Sequence, residues 1–371
     1  MTESPTRICY LANAANSHTK KWASHFAGRG YDVHVASLHP QREDMPGVSV
    51  HYFGVKGRTQ QSVPRWQYFL AAGPVRALLR RLRPHILHAH YATGYGLLGS
   101  LSRFHPYVLS VWGSDVLTFP KTSPLHRALV RFNLRRADYV CSTSRYMARL
   151  TQPYTTREVM LTPFGVDCEQ FNEDGGDTHR DPTTITIGTV KSLETGYGID
   201  YLVQAFAVLR RRPLPYRLRL LIVGEGPEHQ RLERMAEALG IGPVTEFTGW
   251  VPHHRVPEYL RRLSVYAAPS VHEESFGVAV LEASACGVPV VVSRVGGMPE
   301  VVQEGQTGFL VPPGDPVALA DALERLVTSP ELRRTMGAAG RRFVLERYAW
   351  DATARAVEDL YDRILSTRPV S

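Results

Sequence analysis

The chain has 371 residues, of which 43% are hydrophobic, 21% charged and 9% aromatic. This length exceeds that of one small domain, and the composition is too apolar for a disordered chain. The net charge of +8 is uneven, with 21 lysines and arginines against 8 acidic residues in residues 1–168 and 22 against 27 in residues 169–371. We therefore expect the first part of the chain to attract something anionic.

The cysteines and the N-terminus bear on the compartment. Cys9, Cys141, Cys168 and Cys286 are far apart and form no Cys-x-x-Cys pair, which predicts neither a zinc site nor a disulfide framework. The N-terminal residues lack the build of a secretory signal, and no apolar stretch approaches the ~18 residues that span a bilayer. We expect a cytoplasmic protein that at most lies peripherally at the inner membrane face.

Short β-branched runs alternate with amphipathic stretches from the N-terminus onward, a pattern typical of doubly wound α/β domains. In the first part the predicted strands are Arg7–Ala12, Asp32–Ser37, Ile86–His88, Tyr107–Val111 and Tyr139–Ser142. The predicted helices are His18–Arg29, Val75–Leu82 and Leu125–Arg136.

The alternation restarts after a polar stretch and predicts a second domain of the same kind. Its predicted strands are Thr184–Thr189, Leu218–Val223, Thr245–Phe247, Val265–Ala268, Val288–Val292 and Gly308–Val311. Its predicted helices are Tyr201–Arg211, Glu228–Leu239, Val256–Arg262, Gly277–Cys286 and Pro316–Leu326. The polar stretch, which contains Gly175 and Gly176, predicts a linker. We predict domains at residues 1–168 and 169–348, and a C-terminal helix in residues 349–371 that packs back on the first domain.

The densest motif is His272-Glu-Glu-Ser-Phe-Gly-Val-Ala-Val-Leu-Glu-Ala-Ser-Ala-Cys-Gly. It predicts a helix that begins near Phe276, whose free backbone amides form an anion site suited to a diphosphate. A helical rise over eight residues places Glu274 and Glu282 about 12 Å apart, roughly the span from a sugar hydroxyl across a diphosphate to a ribose. The alternative is two solvated carboxylates on a helix.

This motif resembles the signature of family-four retaining glycosyltransferases (glycosyl transferases group one), whose GT-B fold has two Rossmann-like domains facing across a cleft. The resemblance extends through Ile187-Gly-Thr-Val-Lys, Tyr197-Gly-Ile-Asp-Tyr-Leu, Leu221-Ile-Val-Gly-Glu-Gly-Pro-Glu, Phe247-Thr-Gly-Trp-Val-Pro, Ala268-Pro-Ser, Gly296-Gly-Met-Pro-Glu and Gly308-Phe-Leu-Val-Pro-Pro-Gly-Asp-Pro. In the first domain it rests on Trp22, Arg29-Gly-Tyr-Asp-Val, His88-Ala-His90 and Gly113-Ser-Asp115. It implies transfer of a sugar from a nucleotide diphosphate sugar to an acceptor hydroxyl, with retention.

The resemblance also implies roles for single residues. Glu274 holds hydroxyls of the transferred sugar, and Glu282 holds the ribose. The other expected donor-binding residues are Ser275, Phe276, Gly277, Gly224, His18 and the nucleobase segment Gly249, Trp250 and Val251. No metal and no cofactor are expected, and the chain has no Asp-x-Asp motif.

The chain departs from the family pattern both at the expected donor diphosphate and on the expected acceptor side. Lys191 stands near the position of the family's diphosphate-binding Arg, but the usual Lys position is Gly196, so one cation is missing. Lys191 could equally be a surface lysine at a strand end. In the first domain, Trp112 stands where many relatives have His.

The Trp112 substitution makes Asp115 the better candidate to accept the acceptor's proton or to fix its hydroxyl. Its alternative role is a turn aspartate. His90 follows a strand and is a further catalytic candidate. Both His90 and His18 could instead be a local cap or a packed imidazole.

Two arginine-rich amphipathic stretches, 76–83 and 126–136, explain much of the basic charge. They are either solvated helix faces or a surface for an anionic acceptor or anionic lipid. We expect a glycan acceptor, which could be lipid-linked, and no nucleic acid, because no recognition motif accompanies the charge. Two alternative functions stay open: an epimerase or hydrolase on the same fold, and a non-catalytic nucleotide-sugar-binding homologue.

Overall fold

The computed structural model describes residues 5–54, 63–174 and 181–367. The chain divides into two compact units. The first unit consists of residues 1–162 and 354–371, and the second of residues 163–353. The predicted linker residues Gly175 and Gly176 lie outside the described part of the chain.

The first unit ends earlier than the predicted boundary after Cys168. The amide of Val166 donates to the carbonyl of Tyr348, and the carbonyl of Val166 accepts from the amide of Trp350, both at 2.8 Å. Buried backbone N–H and C=O groups nearly always form hydrogen bonds. These hydrogen bonds join the segment before Cys168 to the second unit.

The first unit contains seven parallel strands: β1 (Arg7–Leu11), β2 (Asp32–Ser37), β3 (Val48–Tyr52), β4 (Ile86–His90), β5 (Tyr107–Val111), β6 (Tyr139–Ser142) and β7 (Val159–Leu161). Their order in the sheet is β3-β2-β1-β4-β5-β6-β7. β4 and β5 are buried at every residue, as parallel strands covered on both faces are. The strand order reverses between β1 and β4, and sheets of this type bind ligands at that point.

The helices of the first unit connect these strands. They are α1 (Ser17–Gly28), α2 (Arg65–Leu82), α3 (Gly94–Ser102), α4 (Ser114–Leu117), α5 (Pro124–Arg136) and α6 (Arg145–Thr151). The side chain of Asn16 caps α1 by accepting from the amides of His18 and Thr19.

The second unit repeats the architecture with a parallel sheet of six strands. They are β8 (Thr184–Val190), β9 (Arg217–Val223), β10 (Thr245–Phe247), β11 (Val265–Ala268), β12 (Val290–Ser293) and β13 (Gly308–Val311). Their order is β10-β9-β8-β11-β12-β13, so the reversal lies between β8 and β11. The predicted class, two Rossmann-like α/β units, is confirmed.

The helices of the second unit are α7 (Ile199–Arg210), α8 (His229–Ala238), α9 (Val256–Leu260), α10 (Val278–Ala285), α11 (Pro316–Thr328) and α12 (Pro330–Arg347). A last helix, α13 (Trp350–Ser366), begins in the second unit and continues into the first. Within the first unit, the hydroxyl of Tyr361 on α13 lies 3.1 Å from that of Tyr10 and 2.6 Å from Nδ1 of His88.

The elements that sequence analysis did not predict are β3, β7, α3, α4, α6 and α12. β3 and β7 are edge strands without a fully buried residue, and β7 has only three residues, so neither gives a strong strand pattern. α3 contains Gly94, Gly96 and Gly99, which lower helix propensity. A Cβ on Gly99 would lie 2.4 Å from the Tyr107 ring, so packing against β5 requires this glycine.

Candidate functional site

The loops that follow β8 and β11 meet at the reversal point of the second sheet. Lys191 follows β8, and its Nζ lies 2.9 Å from Oε1 of Glu274. The Ser270 hydroxyl donates to the same oxygen at 2.8 Å. Glu274 is largely shielded from solvent, so its charge is both paired and hydrogen-bonded, as a partly buried carboxylate requires. Lys191 is therefore an ion-paired residue of this site and not an isolated surface lysine.

Tyr197 completes the surroundings of Lys191. The Lys191 ammonium lies 4.2 Å from the centroid of the Tyr197 ring, in the range of a cation–π contact. Partial burial and the charges of Glu274 and Glu194 raise the pKa of Tyr197. Lys191, Tyr197, Ser270, Glu274 and Gly277 line one small cavity. The structure thus brings together two predicted site residues, Lys191 and Glu274, with two that sequence reasoning missed, Tyr197 and Ser270.

Gly196, at the position of the missing lysine, has a backbone conformation that favours glycine. Its φ is +100°, and a Cβ there would lie 2.3 Å from Nδ1 of His272. Its carbonyl accepts hydrogen bonds from the amides of Val271 and His272 at 2.8 and 3.2 Å. The loop after β8 is therefore joined to the loop after β11 at the position where a longer side chain would clash.

The helix α10 begins at Val278, one residue after the predicted start at Gly277. Gly277 precedes it with φ +124°, and the first intrahelical bond runs from the amide of Val280 to the carbonyl of Gly277 at 3.1 Å. The amides of Val278 and Ala279 precede this bond, as the first amides of a helix do. Because the residues between Glu274 and Gly277 are not helical, the helical-rise separation of about 12 Å does not apply to the two carboxylates.

Side-chain packing holds Phe276 in place, whereas a close backbone contact holds Ser275. The Phe276 side chain is buried against the rings of Phe164 and Tyr348, at 6.4 and 5.6 Å between centroids, so it is a packing residue. A Cβ on Gly297 would lie 2.5 Å from the carbonyl oxygen of Ser275. The backbone beside Ser275 therefore depends on a close approach that only glycine permits.

Gly296 and Gly297 also position Glu274. The amide of Gly297 donates to the carbonyl of Glu274 at 2.8 Å, and a Cβ on Gly296 would lie 2.2 Å from that carbonyl oxygen. The Gly-Gly-Met-Pro-Glu segment after β12 thus acts as the backbone support of the carboxylate, and its two glycines are required for contact.

Glu282 is the second carboxylate of the motif, and it lies inside α10. It is buried, and its Oε1 is 2.8 Å from Nε2 of His253. The His253 ring also lies 5.3 Å from that of Phe171, and its side chain is 65% exposed. Sequence analysis did not single out His253, because only the tertiary structure brings its loop to α10.

The predicted nucleobase segment lies at the carboxyl ends of β9 and β10. The amide of Gly224 donates to the carbonyl of Gly249 at 3.0 Å, and both glycines have positive φ. A Cβ on Gly224 would lie 1.9 Å from the carbonyl oxygen of Lys191. Trp250 is 73% exposed and Val251 partly buried. Gly224 and Gly249 are therefore close to the backbone of Lys191.

Asp115 has surroundings that differ from those of a proton acceptor. It is buried, and its carboxylate accepts hydrogen bonds from the backbone amides of Ala92 and Gly113, both at 2.8 Å, and of Trp112 at 3.3 Å. Burial raises the pKa of Asp115, and these amides act in the opposite direction. Because both oxygens accept hydrogen bonds from backbone amides, Asp115 holds the loops after β4 and β5 together. Its role towards the acceptor hydroxyl stays a prediction.

His90 is a packed imidazole in the structure. Its ring lies 4.2 Å from that of Trp112, and its Nδ1 has no hydrogen-bond partner among the described residues. Burial and the neighbouring His88 and His18 lower its pKa well below the ordinary value for histidine. Packing against Trp112 matches the alternative of a packed imidazole, and the catalytic role of His90 stays a prediction.

His18 lies near the same tryptophan. The His18 ring meets Trp112 edge-on at 6.0 Å between centroids, and its amide donates to the Asn16 side chain at 2.9 Å. Together His18, His90 and Trp112 form an aromatic cluster at the reversal point of the first sheet. Tyr91, which has φ +77° and lies 6.2 Å from Trp112, adds a strained residue of the kind that occurs at functional sites.

The structure adds three further observations. No group of three or more metal-ligating side chains occurs in the described part of the chain. None of the helices within residues 5–54, 63–174 and 181–367 has the length and apolar composition needed to cross a bilayer. Cys9, Cys141, Cys168 and Cys286 form no disulfide among the described residues.

A cavity of about 850 Å³ in the second unit is separate from this chemistry. It is lined by Thr184, Thr186, Arg217, Arg219 and Arg262 among others, and it includes none of the predicted site residues. The paired carboxylate, and not the cavity volume, therefore identifies the candidate site.

The chain matches two family models and several known proteins. A family model described as glycosyl transferases group 1 matches residues 171–343, and one described as glycosyl transferase 4-like matches residues 7–144. The chain is 30% identical to a D-inositol 3-phosphate glycosyltransferase of Actinosynnema mirum, over 94% of this chain and 92% of that protein. It is 34% identical to a GDP-mannose-dependent alpha-(1-6)-phosphatidylinositol monomannoside mannosyltransferase of Mycolicibacterium smegmatis, over 64% of this chain and 65% of that protein.

The fold has a solved counterpart. Sucrose-phosphate synthase from Thermosynechococcus elongatus superposes with a TM-score of 0.83 at 22% sequence identity. The superposition covers 98% of this chain and 100% of that one. This likeness supports the fold of the whole chain.

Proposed function

Since the chain belongs to the glycosyl transferases group 1 family, we propose that it moves a sugar from a nucleotide diphosphate sugar to an acceptor hydroxyl with retention at the anomeric carbon. The observation that carries this proposal is the pair of Lys191 and Glu274 beside the start of α10. The Lys191 cation and the free amides at the start of α10 attract a diphosphate. The Glu274 carboxylate is positioned to accept hydrogen bonds from sugar hydroxyls.

The donor extends from this pair along α10. Its diphosphate meets Lys191 and the amides before Val280, its sugar meets Glu274, and its ribose meets Glu282. A GDP-mannose-dependent relative supports a nucleotide sugar as the donor class. Gly224 and Gly249 let the backbone approach the base closely, which is the usual reason for glycine at such places.

The reaction that fits these residues is a front-face substitution. The acceptor hydroxyl attacks the anomeric carbon as the bond to the diphosphate breaks, and its proton passes to a leaving diphosphate oxygen. Lys191 and the α10 amides stabilise the charge that develops on that diphosphate. In this mechanism no side chain forms a covalent intermediate, and the packed states of Asp115 and His90 are consistent with that.

The acceptor is an anionic polyol or glycan, which the basic first part of the chain attracts. The names of the two relatives, an inositol 3-phosphate and a phosphatidylinositol mannoside transferase, support this class. Helix α2 presents Trp66, Phe69 and Leu70, which are 54%, 59% and 68% exposed, ahead of the exposed Arg80 and Arg81. Such a helix favours peripheral contact with an anionic membrane surface.

A donor panel tests the proposal. Thermal unfolding is measured with UDP, GDP, ADP and dTDP, and the sugars of whichever nucleotide stabilises the protein are then incubated with inositol phosphate. An α-linked product from an α-linked donor, identified by NMR, is the expected result. Donor epimerised without acceptor, or binding without turnover on any acceptor, would contradict it.

A further inference from the structure

The family resemblance implies two cations at the donor diphosphate, but this chain has a cation at only one of the two expected positions. Lys191 is present and already pairs with Glu274. The second expected position is Gly196, which has no side chain. A diphosphate that leaves with two or more negative charges needs more compensation than one ion-paired lysine gives.

The imidazole of His272 occupies the space in front of Gly196. A Cβ built on Gly196 would lie 2.3 Å from Nδ1 of His272 and 3.2 Å from its Cγ. The ring therefore fills the volume that the first carbons of a longer side chain at residue 196 would take. Two hydrogen bonds from the 271–272 backbone to the Gly196 carbonyl hold this arrangement.

The His272 ring and the Lys191 ammonium both contact the ring of Tyr197. It lies 4.7 Å from the Tyr197 ring, and Lys191 lies 4.2 Å from the same ring. His272 is exposed, so its nitrogens can reach a ligand. The charged groups of the loops around it are Lys191, Glu194, Glu273 and Glu274.

We propose that His272 binds the donor diphosphate in place of the absent lysine. This inference rests on the proposed function, because it assumes a nucleoside diphosphate at this site. Histidine gains and loses its proton between about pH 5 and pH 8, so a histidine makes diphosphate binding depend on pH where a lysine does not. Binding is strongest below neutral pH, and it weakens as the imidazolium loses its proton.

The test is a calorimetric titration of the full chain with GDP and UDP from pH 5.5 to pH 8.5, repeated with the monophosphates GMP and UMP. At pH 6, His272→Gln weakens diphosphate binding about tenfold or more, the worth of a charged hydrogen bond. Monophosphate binding changes less, and at pH 8.5 the variant and the wild type converge. His272→Lys restores affinity and removes the pH dependence. His254→Gln, at an exposed histidine of the same unit, is the matched control and leaves the profile unchanged.

The outcomes separate the inference from the function on which it rests. Diphosphate affinity that is the same in His272→Gln and wild type at every pH overturns the inference alone. Equal losses for mono- and diphosphates overturn it as well, since they indicate a structural role. A wild-type protein that binds none of UDP, GDP, ADP and dTDP overturns the proposed function together with the inference.

Discussion

Nε2 of His253 lies 2.8 Å from Oε1 of Glu282, so an exposed histidine contacts the carboxylate that we assign to the donor ribose. His253 lies in the segment that follows β10, and Glu282 lies inside α10. A ribose hydroxyl at Oε1 has to exchange with the imidazole or use the other oxygen. Because the contact of a largely exposed histidine contributes little, the carboxylate itself dominates the site.

Replacing Glu282 by Ala is therefore expected to weaken binding of a nucleoside diphosphate by about tenfold to a hundredfold. Inorganic diphosphate has no ribose, so its affinity stays within about threefold of wild type. His253→Ala gives a smaller change than Glu282→Ala. Calorimetry with both ligands is the measurement, and parallel losses for nucleotide and inorganic diphosphate would disprove the ribose assignment.

Replacing Glu274 by Gln separates turnover from nucleotide binding. The carboxylate is assigned to the sugar, so we expect kcat to fall about a hundredfold or more. A nucleoside diphosphate without sugar binds at least as tightly as before, because Lys191 no longer shares its charge with Glu274. Steady-state kinetics and calorimetry test this together, with Lys191→Met as the opposite control, which weakens the diphosphate. A rise in Kd without loss of kcat contradicts the role.

Replacing Gly196 by Ala tests the close contact with His272. The positive φ alone costs about 1–2 kcal/mol for a residue with a Cβ, and the contact with the imidazole adds to this. Gly240 has φ +71° with nothing near its Cβ position, so Gly240→Ala isolates the backbone part. Urea unfolding measures both. We expect Gly196→Ala to lose more stability, and the double variant with His272→Ala to lose less than the sum. Additivity within error would show that the ring does not restrict residue 196.

His88 makes stability depend on pH. Burial lowers its pKa to about 3, while Tyr361 and Ser110 contact its two nitrogens. Below the unfolded-state value near 6.5, the unfolded chain takes up a proton that the folded chain refuses, so stability falls as the pH drops from about 6.5 towards 3. His88→Gln removes this proton, so the slope of unfolding free energy against pH decreases by about 1.4 kcal/mol per pH unit between pH 4 and pH 6. Ser110→Ala keeps the imidazole and the slope, and an unchanged slope in His88→Gln would contradict the buried neutral state.

The exposed apolar residues of α2 predict membrane binding. Trp66→Ser combined with Leu70→Ser should lower binding to vesicles that contain phosphatidylserine by about tenfold or more, since buried apolar area drives such contacts. The matched control, Val317→Ser combined with Leu345→Ser, removes side chains that are 53% and 45% exposed on the second unit and leaves binding unchanged. Co-sedimentation measures both. Equal binding to neutral and anionic vesicles would disprove the electrostatic part.

The local patterns of the sequence were sufficient for the elements that carry the donor site. β8 and β11 are short runs rich in β-branched and apolar residues, and α10 is an apolar stretch with Gly277 before it and Gly287 after it. The prediction placed β11 with its observed bounds and α10 within one residue of them. The edge strands β3 and β7 escaped because they bury few residues. The roles of Asp115 and His90 could not be inferred either, since a carboxylate or imidazole after a strand has the same local sequence whether it is packed or free.

By itself, the sequence determined the α/β architecture and the identity of the two motif carboxylates. It could do so because strand and helix periodicity and helix-end chemistry depend on residues close along the chain. Only the tertiary structure decided that Lys191, Ser270 and Tyr197 surround Glu274, and that His272 fills the space at Gly196. These contacts join residues from separate strand ends, and their geometry depends on how the sheet aligns those ends, which no local pattern encodes.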